Sequence, residues 1–159
     1  FDPESLGGWR RDTVREVPIV TGCLLLVSRS DFDRIGGMDE RFFLYGEDAE
    51  FSLRAARAGL RPVIVPEASI VHAVGASTGA RGRKMTMVLA GKVTLLRSAW
   101  SPGRAQLGVG LLVAGVGLRA ALETVTRRRD RMWTHAWEHR DDWLPGYPAA
   151  KALIFGATA

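Results

Sequence analysis

The chain has 159 residues, of which 47% are apolar, and its formal net charge is +5. This length is enough for one domain with a hydrophobic core, and the composition excludes an intrinsically disordered chain. The single cysteine, Cys23, excludes both an internal disulfide framework and a cysteine-based zinc site.

The charge is divided unevenly along the sequence. Residues 1–80 carry 9 basic and 12 acidic residues, a net charge of −3. Residues 81–159 carry 13 basic and 5 acidic residues, a net charge of +8. The first part therefore offers carboxylates for a site, and the second part offers a surface for an anionic partner.

Apolar runs between glycine and proline breaks predict an α/β pattern in the first part of the chain. Buried strands are predicted over residues 17–20 and 23–27, on either side of the turn at Thr21 and Gly22. Further strands are predicted over 61–65 and 68–72 because both runs are short, apolar and flanked by breaks.

Two helices are predicted between these strands. Ser30 is expected to cap a short helix over residues 31–35 that ends at the following glycine pair. A longer helix is expected over residues 47–58, with acidic residues in its first turn and arginines near its end, as the helix dipole favours.

The second part of the chain is predicted to be helical. Apolar residues between Lys84 and Trp100 recur with helical spacing, and Ser101–Pro102 is expected to end this helix and begin the next. Residues 107–118 are wholly apolar. Twelve residues are too few to span a bilayer, which needs roughly 20.

The segment after this apolar run is basic and rich in tryptophan. Residues 127–131 contain four arginines, and Trp133 and Trp137 follow. Such a segment is suited to an anionic membrane surface, with tryptophan at the level of the lipid headgroups. An equally weighted alternative is a solvated helix whose tryptophans fill a groove within the protein. Binding to nucleic acid is ranked well below both.

Adjacent carboxylates at Glu47 and Asp48 open the second predicted helix. Neighbouring helical side chains point about 100° apart, so one carboxylate could face a cleft while the other binds backbone. A carboxylate in a cleft is suited to act as a general base on a hydroxyl group. The structural alternative is an ordinary helix with acidic residues in its first turn.

Two further features of the sequence are candidate metal ligands. His72 ends a predicted strand, but even together with Glu47 or Asp48 it provides too few ligands for a metal site. Asp31 and Asp33 form a D-x-D string, which we reject as a metal site because it lies inside a capped helix rather than in a loop after a buried strand.

Four segments, at residues 21–27, 32–54, 58–59 and 66–72, follow one another in an order that resembles a known family. They are similar to the second half of family 2 inverting glycosyltransferases of the bacterial rhamnosyltransferase-like group. The resemblance implies the C-terminal part of a GT-A Rossmann-like α/β sandwich over residues 1–80. Residues 81–159 would then be a basic helical extension that serves for membrane-surface contact or oligomerisation.

The resemblance also implies roles for individual residues. Asp48 corresponds to the general base of the family's acidic pair, and Glu47 to the residue that orients the acceptor or the base. His72 corresponds to a histidine that in some members joins the metal. The resemblance places Thr21 and Gly22 in the turn beneath the acceptor. Tyr45 and Trp9 are suggested as further acceptor-binding residues, against which a sugar could stack.

The resemblance further implies the substrates, the cofactor and the location. The donor would be a nucleotide-sugar and the acceptor a glycan or lipid-linked glycan, at the cytosolic face of the plasma membrane, in cell-envelope polysaccharide synthesis. A divalent Mg or Mn ion would be held mainly by an N-terminal half that precedes Phe1, so this chain alone is expected to be inactive. The alternatives are a non-catalytic assembly module that dimerises or docks through its C-terminal helices and a metal-dependent phosphohydrolase.

Overall fold

The computed structural model describes residues 8–72, 81–127 and 130–156. Within them the chain divides into two units: unit 1 contains residues 8–39 and 47–72, and unit 2 contains residues 40–46, 81–127 and 130–156. The elements in chain order are β1 (Arg15–Glu16), α1 (Arg29–Ile35), α2 (Glu47–Arg57), β2 (Val63–Ile64), α3 (Arg81–Ala99), α4 (Pro102–Val125), α5 (Met132–Glu138), α6 (Arg140–Trp143) and α7 (Ala149–Phe155).

Unit 1 contains one small antiparallel sheet. Arg15 of β1 lies opposite Ile64 of β2. The predicted strand over 61–65 is thus confirmed in its centre, whereas the strands predicted over 17–20, 23–27 and 68–72 are wrong. A strand needs a neighbouring strand to bind its backbone. In the described structure the N–H groups of Val20 and Gly22 are bound instead by side chains of α2.

The two helices of unit 1 lie close to their predicted positions. Helix α1 begins two residues earlier than expected, because Ser28 and not Ser30 accepts the capping hydrogen bond from the Asp31 N–H at 3.0 Å. Gly36 ends α1 in the left-handed conformation, with φ of 92°. Helix α2 ends one residue before the predicted Ala58.

Unit 2 is a helical unit with its own hydrophobic core. Helix α3 covers the helix predicted from Lys84, and α4 begins at Pro102 as expected. The buried side chains come from several helices and from residues 40–46; they are Phe42, Leu89, Ala90, Val93, Val116, Ala136, Trp143, Tyr147 and Ala150. Apolar burial of this kind is the main contribution to the stability of such a unit.

Helix α4 is longer than its apolar sequence run suggested. The 12-residue run at 107–118 lies inside a helix of 24 residues. Among the described helices, α4 is the one long and apolar enough to cross a membrane by length and composition, and only 17% of its most apolar window is buried. The prediction that this segment is too short to cross a bilayer therefore does not hold for the helix as a whole.

The tryptophans of the tail pack within the protein. Trp143 is fully buried and donates a hydrogen bond to the Ala136 carbonyl at 2.8 Å. Trp133 and Trp137 are half-buried against the core, and arginine side chains lie over both rings. These contacts support the alternative in which the tryptophans fill a groove within the protein.

Residues 40–46 belong to unit 2. The sequence predicted one boundary near residue 80, and this boundary would have placed them in the first domain. The Tyr147 hydroxyl donates a hydrogen bond to the Leu44 carbonyl at 3.1 Å. Gly91 of α3 lies so close to Tyr45 that a Cβ atom there would overlap the Tyr45 carbonyl. The loop that leads into α2 is therefore packed against α3.

This close approach predicts a large effect for Gly91→Ala. The added methyl group would force apart two backbone segments, and we expect the free energy of unfolding of unit 2 to fall by about 1–3 kcal/mol. Gly110→Ala is the matched control, because nothing lies within 4 Å of a Cβ atom at that position of α4. There we expect a gain of about 0.5–1 kcal/mol from helix propensity. Equal effects in urea denaturation would contradict the packing argument.

Candidate active site at the start of helix α2

The chain enters α2 through two residues in the left-handed region. Tyr45 has φ of 68° and Gly46 has φ of 101°. Glycine adopts this conformation at little cost, whereas a tyrosine in it is uncommon and strained. This turn is followed at once by Glu47 and Asp48, the first two residues of α2.

Asp48 fastens the segment around Gly22 to α2. Its Oδ2 accepts a hydrogen bond from the Gly22 N–H at 2.8 Å, and its Oδ1 accepts one from the Ala49 N–H at 2.8 Å. The side chain is only half-buried, so its carboxylate remains accessible. Each carboxylate oxygen has two lone pairs, which leaves one on each oxygen for a further donor such as a sugar hydroxyl.

Ser52 extends this attachment by one helical turn. Its Oγ accepts a hydrogen bond from the Val20 N–H at 3.1 Å. Residues four apart lie on one face of a helix, so Asp48 and Ser52 present acceptors one turn apart. The N–H groups of Val20 and Gly22 donate hydrogen bonds to Ser52 and Asp48 respectively. Of the two residues that the resemblance places beneath the acceptor, Gly22 is bound to Asp48 in unit 1. The Thr21 hydroxyl donates instead to the Cys23 sulfur at 3.4 Å.

Glu47, the first carboxylate of the pair, has one oxygen shielded from solvent. Its Oε2 is buried and has no hydrogen-bond partner among the described residues. Burial raises the pKa of Glu47 above its ordinary value, a backbone hydrogen bond opposes this, and the neighbouring Asp48 charge adds to it. An unpaired carboxylate oxygen is costly in a folded protein and is a common feature of binding and catalytic sites.

The raised pKa predicts that Glu47→Gln stabilises the protein at neutral pH. Ionised Glu47 is destabilising in the folded state above its raised pKa, and this cost disappears as the pH falls below the ordinary value of 4.5. We expect a gain of less than about 1 kcal/mol, because solvent screens a half-buried group. Thermal unfolding of the wild type and the variant at pH 7 and pH 4 measures this gain in stability. A gain that is as large at pH 4 as at pH 7 would contradict a raised pKa for Glu47.

Glu50 is buried and Arg54 is half-buried, and together they form a brace that the sequence did not reveal. Arg54 donates to both carboxylate oxygens of Glu50 at 2.7 Å. It also donates to the carbonyls of Ile35 at 2.7 Å and Gly37 at 2.8 Å, at the end of α1. Only their spacing of four residues on a helix could have indicated the pair. The brace fixes α1 against α2, which carries the candidate site.

The two proposed sugar-stacking residues have different surroundings. Tyr45 is half-buried in unit 2, and the Lys84 ammonium lies 5.9 Å from its ring centre. Trp9 lies in unit 1, donates to the Thr13 hydroxyl at 3.3 Å and has the Arg15 guanidinium 5.4 Å from its ring centre. The described contacts of Trp9 are thus local and do not bring it to Asp48.

His72 is exposed, and the described residues contain no group of three or more side chains that could hold a metal ion. Asp31 and Asp33 lie in α1. Asp31 accepts from the hydroxyl of its N-cap Ser28 at 2.7 Å, and Asp33 lies 3.8 Å from Arg29. The part of the chain that the structure describes therefore does not fit a metal site by itself.

A groove of about 700 Å³ on unit 1 reaches Ser52, one helical turn after Asp48. Its walls are mainly apolar and include residues 23–27 and 60–65, together with Thr21 and Ser52. Leu26 in this wall is 96% exposed. Glu47 and Asp48 are not among its walls, but Thr21 and Ser52, which lie close to Asp48 in unit 1, are.

Residues 12–76 match a family model described as the N-terminal domain of galactosyltransferase. They lie mainly in unit 1 and include the carboxylate pair. No solved structure matches the chain significantly.

Several curated proteins resemble the same region. N-acetylglucosaminyl-diphospho-decaprenol L-rhamnosyltransferase of Mycobacterium tuberculosis is 45% identical over 65 residues, which are 41% of this chain and 21% of the relative. Rhamnosyltransferase WbbL of Escherichia coli is 41% identical over 61 residues, 38% of this chain and 22% of the relative. The O-antigen biosynthesis protein RfbC of Myxococcus xanthus is 38% identical over 58 residues, 36% of this chain and 4% of the relative.

The chain thus spans about a fifth of the length of the two rhamnosyltransferases it resembles. The family model and the two rhamnosyltransferases show that residues 12–76 are similar to glycosyltransferases.

Proposed function

We propose that this chain is the acceptor and catalytic-base part of an inverting glycosyltransferase of GT-A fold. The full-length gene product would transfer a sugar from a nucleotide-sugar to an acceptor hydroxyl. The observation that carries the proposal is the accessible Asp48 carboxylate at the start of α2, bound to the Gly22 N–H at 2.8 Å, in a region similar to rhamnosyltransferases.

In this proposal Asp48 acts as the general base. A sugar hydroxyl is a weak nucleophile, so it must lose its proton as it attacks the donor carbon. Asp48 takes that proton while the bond from the sugar to the nucleoside diphosphate breaks. Attack from the face opposite the leaving group inverts the anomeric centre. The two backbone hydrogen bonds to Asp48 hold its carboxylate in place for this step.

Glu47 is assigned to orient the acceptor. Its unpaired Oε2 is an acceptor for a second sugar hydroxyl, which would remove the cost of leaving a buried oxygen without a partner. Thr21 and Gly22 are proposed to contact the acceptor from the segment that is bound to α2. Tyr45 is kept as a proposed sugar-stacking residue. Trp9 is retained as a more distant candidate.

The divalent metal remains an expectation for residues outside this chain. The described residues do not assemble a site around His72, so no step of the proposed mechanism passes through a metal. For the same reason the phosphohydrolase alternative, which needs Glu47, Asp48 and His72 to share a metal, has no observation in its favour.

The proposed substrates follow from the names of the relatives. One of them acts on an N-acetylglucosaminyl-diphospho-decaprenol, which is a lipid-linked glycan. We propose a nucleotide-sugar donor and an acceptor of this class, at the cytosolic face of the plasma membrane, in cell-envelope polysaccharide synthesis.

The non-catalytic alternative is separated from this proposal by replacing Asp48 with Asn in the full-length gene product. Transfer is followed with a nucleotide-sugar donor and a lipid-linked acceptor, and NMR of the new anomeric centre reports inversion. An assembly module would not need the Asp48 carboxylate, whereas the proposed enzyme would.

A further inference from the structure

The outward face of α4 is apolar from Leu107 to Val125. Five side chains on this face are between 53% and 79% exposed. At 100° per residue they fall within a sector of about 60°. We call this set the leucine stripe; its members are Leu107, Leu111, Leu118, Leu122 and Val125.

The opposite face of α4 is fixed within unit 2. Val116 and Ala120 are buried there. Near its end, the carboxylate of Glu123 accepts hydrogen bonds from the backbone N–H groups of Trp133 at 3.1 Å and Thr134 at 2.8 Å. These contacts set the rotation of α4 and leave the leucine stripe without a partner among the described residues.

The contacts of α4 also argue against a helix that crosses the bilayer. Helices α3 and α5 pack on its buried face, and they carry the exposed Lys92 and Glu138. A crossing would draw these charged helices into hydrocarbon, which is costly for each ionised group. A helix lying in the plane of the membrane surface buries its apolar face and leaves its other face with the protein.

The ends of the leucine stripe match the boundary between lipid and water. Trp100 is 47% exposed just before α4, and the Arg104 guanidinium lies 5.8 Å from its ring centre. Arg127 is exposed just beyond the other end. Tryptophan and arginine are suited to the level of anionic headgroups.

Charge favours lipid over a second copy of the chain. Residues 81–159 have 13 basic and 5 acidic residues, a net charge of +8. Two such surfaces would repel each other, whereas an anionic membrane attracts each of them.

We propose that α4 lies in the plane of an anionic bilayer, with the leucine stripe among the upper acyl chains and Trp100, Arg104 and Arg127 at the headgroups. The stripe, and not the tryptophans after residue 131, is then the membrane anchor. This deepens the proposed membrane location. Vesicle binding is measured without donor or acceptor, so its failure would leave the transferase proposal standing.

The first test replaces two residues of the stripe in the full chain, as Leu111→Asp with Leu118→Asp. Co-sedimentation is measured with vesicles of phosphatidylcholine alone and with added phosphatidylglycerol. The wild type is expected to bind the anionic vesicles, and the double variant at least about tenfold more weakly, since each leucine contributes its burial. Leu153→Asp is the matched control, because Leu153 of α7 is 53% exposed but lies outside the stripe. It is expected to bind within about twofold of the wild type.

The second test measures depth. In a Cys23→Ser background, single cysteines are placed at positions 107, 118 and 125 and labelled with a fluorophore. Quenching by lipids that carry a quencher at a known depth gives the depth of each label in the bilayer. An in-plane helix places all three labels at one shallow depth. In a crossing helix, positions 107 and 118 would lie within about 10 Å of the bilayer midplane and position 125 about 17 Å from it. Labels at 107 and 118 that are both much deeper than the label at 125 would therefore show a crossing helix and overturn the proposal. A wild-type dimer that the double variant dissociates, with vesicle binding unchanged, would show instead that the stripe binds a second copy.

Discussion

Replacing Asp48 by Asn in the full-length gene product is expected to lower kcat/KM for sugar transfer by about 10²–10⁴-fold, which corresponds to about 2.7–5.5 kcal/mol in the activation barrier. The asparagine keeps the size of the side chain but cannot take the acceptor's proton. Donor binding is expected to stay within a few-fold of the wild type, because the nucleotide does not depend on this proton transfer.

The control must separate chemistry from structure, since Asp48 also holds Gly22. In the asparagine variant the amide nitrogen replaces one oxygen, so one of the two backbone N–H donors loses its acceptor, at about 1 kcal/mol. Ser52→Ala removes the neighbouring hydrogen bond to Val20 without touching a carboxylate. If both variants lose a similar amount of activity, Asp48 holds the loop and is not the base.

The segments best predicted from the sequence are those with purely local signals. Helix α2 combines acidic residues in its first turn with a terminal glycine, and α4 begins at a proline after serine; both lie where the sequence placed them. Capping residues, charged partners of the helix dipole and proline act within a few residues. The sequence alone therefore contains all the information needed to predict their effects. Even so, the cap of α1 is Ser28 and not the neighbouring Ser30, because two serines two residues apart offer the same chemistry.

The failures concern partners that are distant in sequence. Residues 23–27 have the composition of a buried strand, but composition does not say which strand lies beside it, and Leu26 is almost fully exposed. The carboxylate pair was found from its spacing, whereas its unequal surroundings depend on burial: Glu47 has an unpaired oxygen, and Asp48 has two backbone donors. The leucine stripe could not be predicted from the sequence, because recognising it requires the full length of α4 and the contacts that fix the rotation of this helix.

Arg54→Ala is expected to lower the free energy of unfolding of unit 1 by about 3 kcal/mol, the lower end of the range for breaking a buried ion pair. Glu50 is only 8% exposed, so loss of Arg54 leaves a buried carboxylate without its bidentate partner. The carbonyls of Ile35 and Gly37 lose their donor as well. Denaturant titration followed by hydrogen exchange of the α1 and α2 amides measures this loss.

Two comparisons make the Arg54 result specific to the brace. Arg29→Ala removes an arginine from an exposed pair with Asp33 at 3.8 Å, and we expect a loss below about 0.5 kcal/mol. Adding Glu50→Gln to Arg54→Ala removes the stranded charge, so the double variant should be more stable than Arg54→Ala alone. If Arg54→Ala behaves like Arg29→Ala, the brace does not hold α1 against α2, and the candidate site must be positioned by other contacts of unit 1.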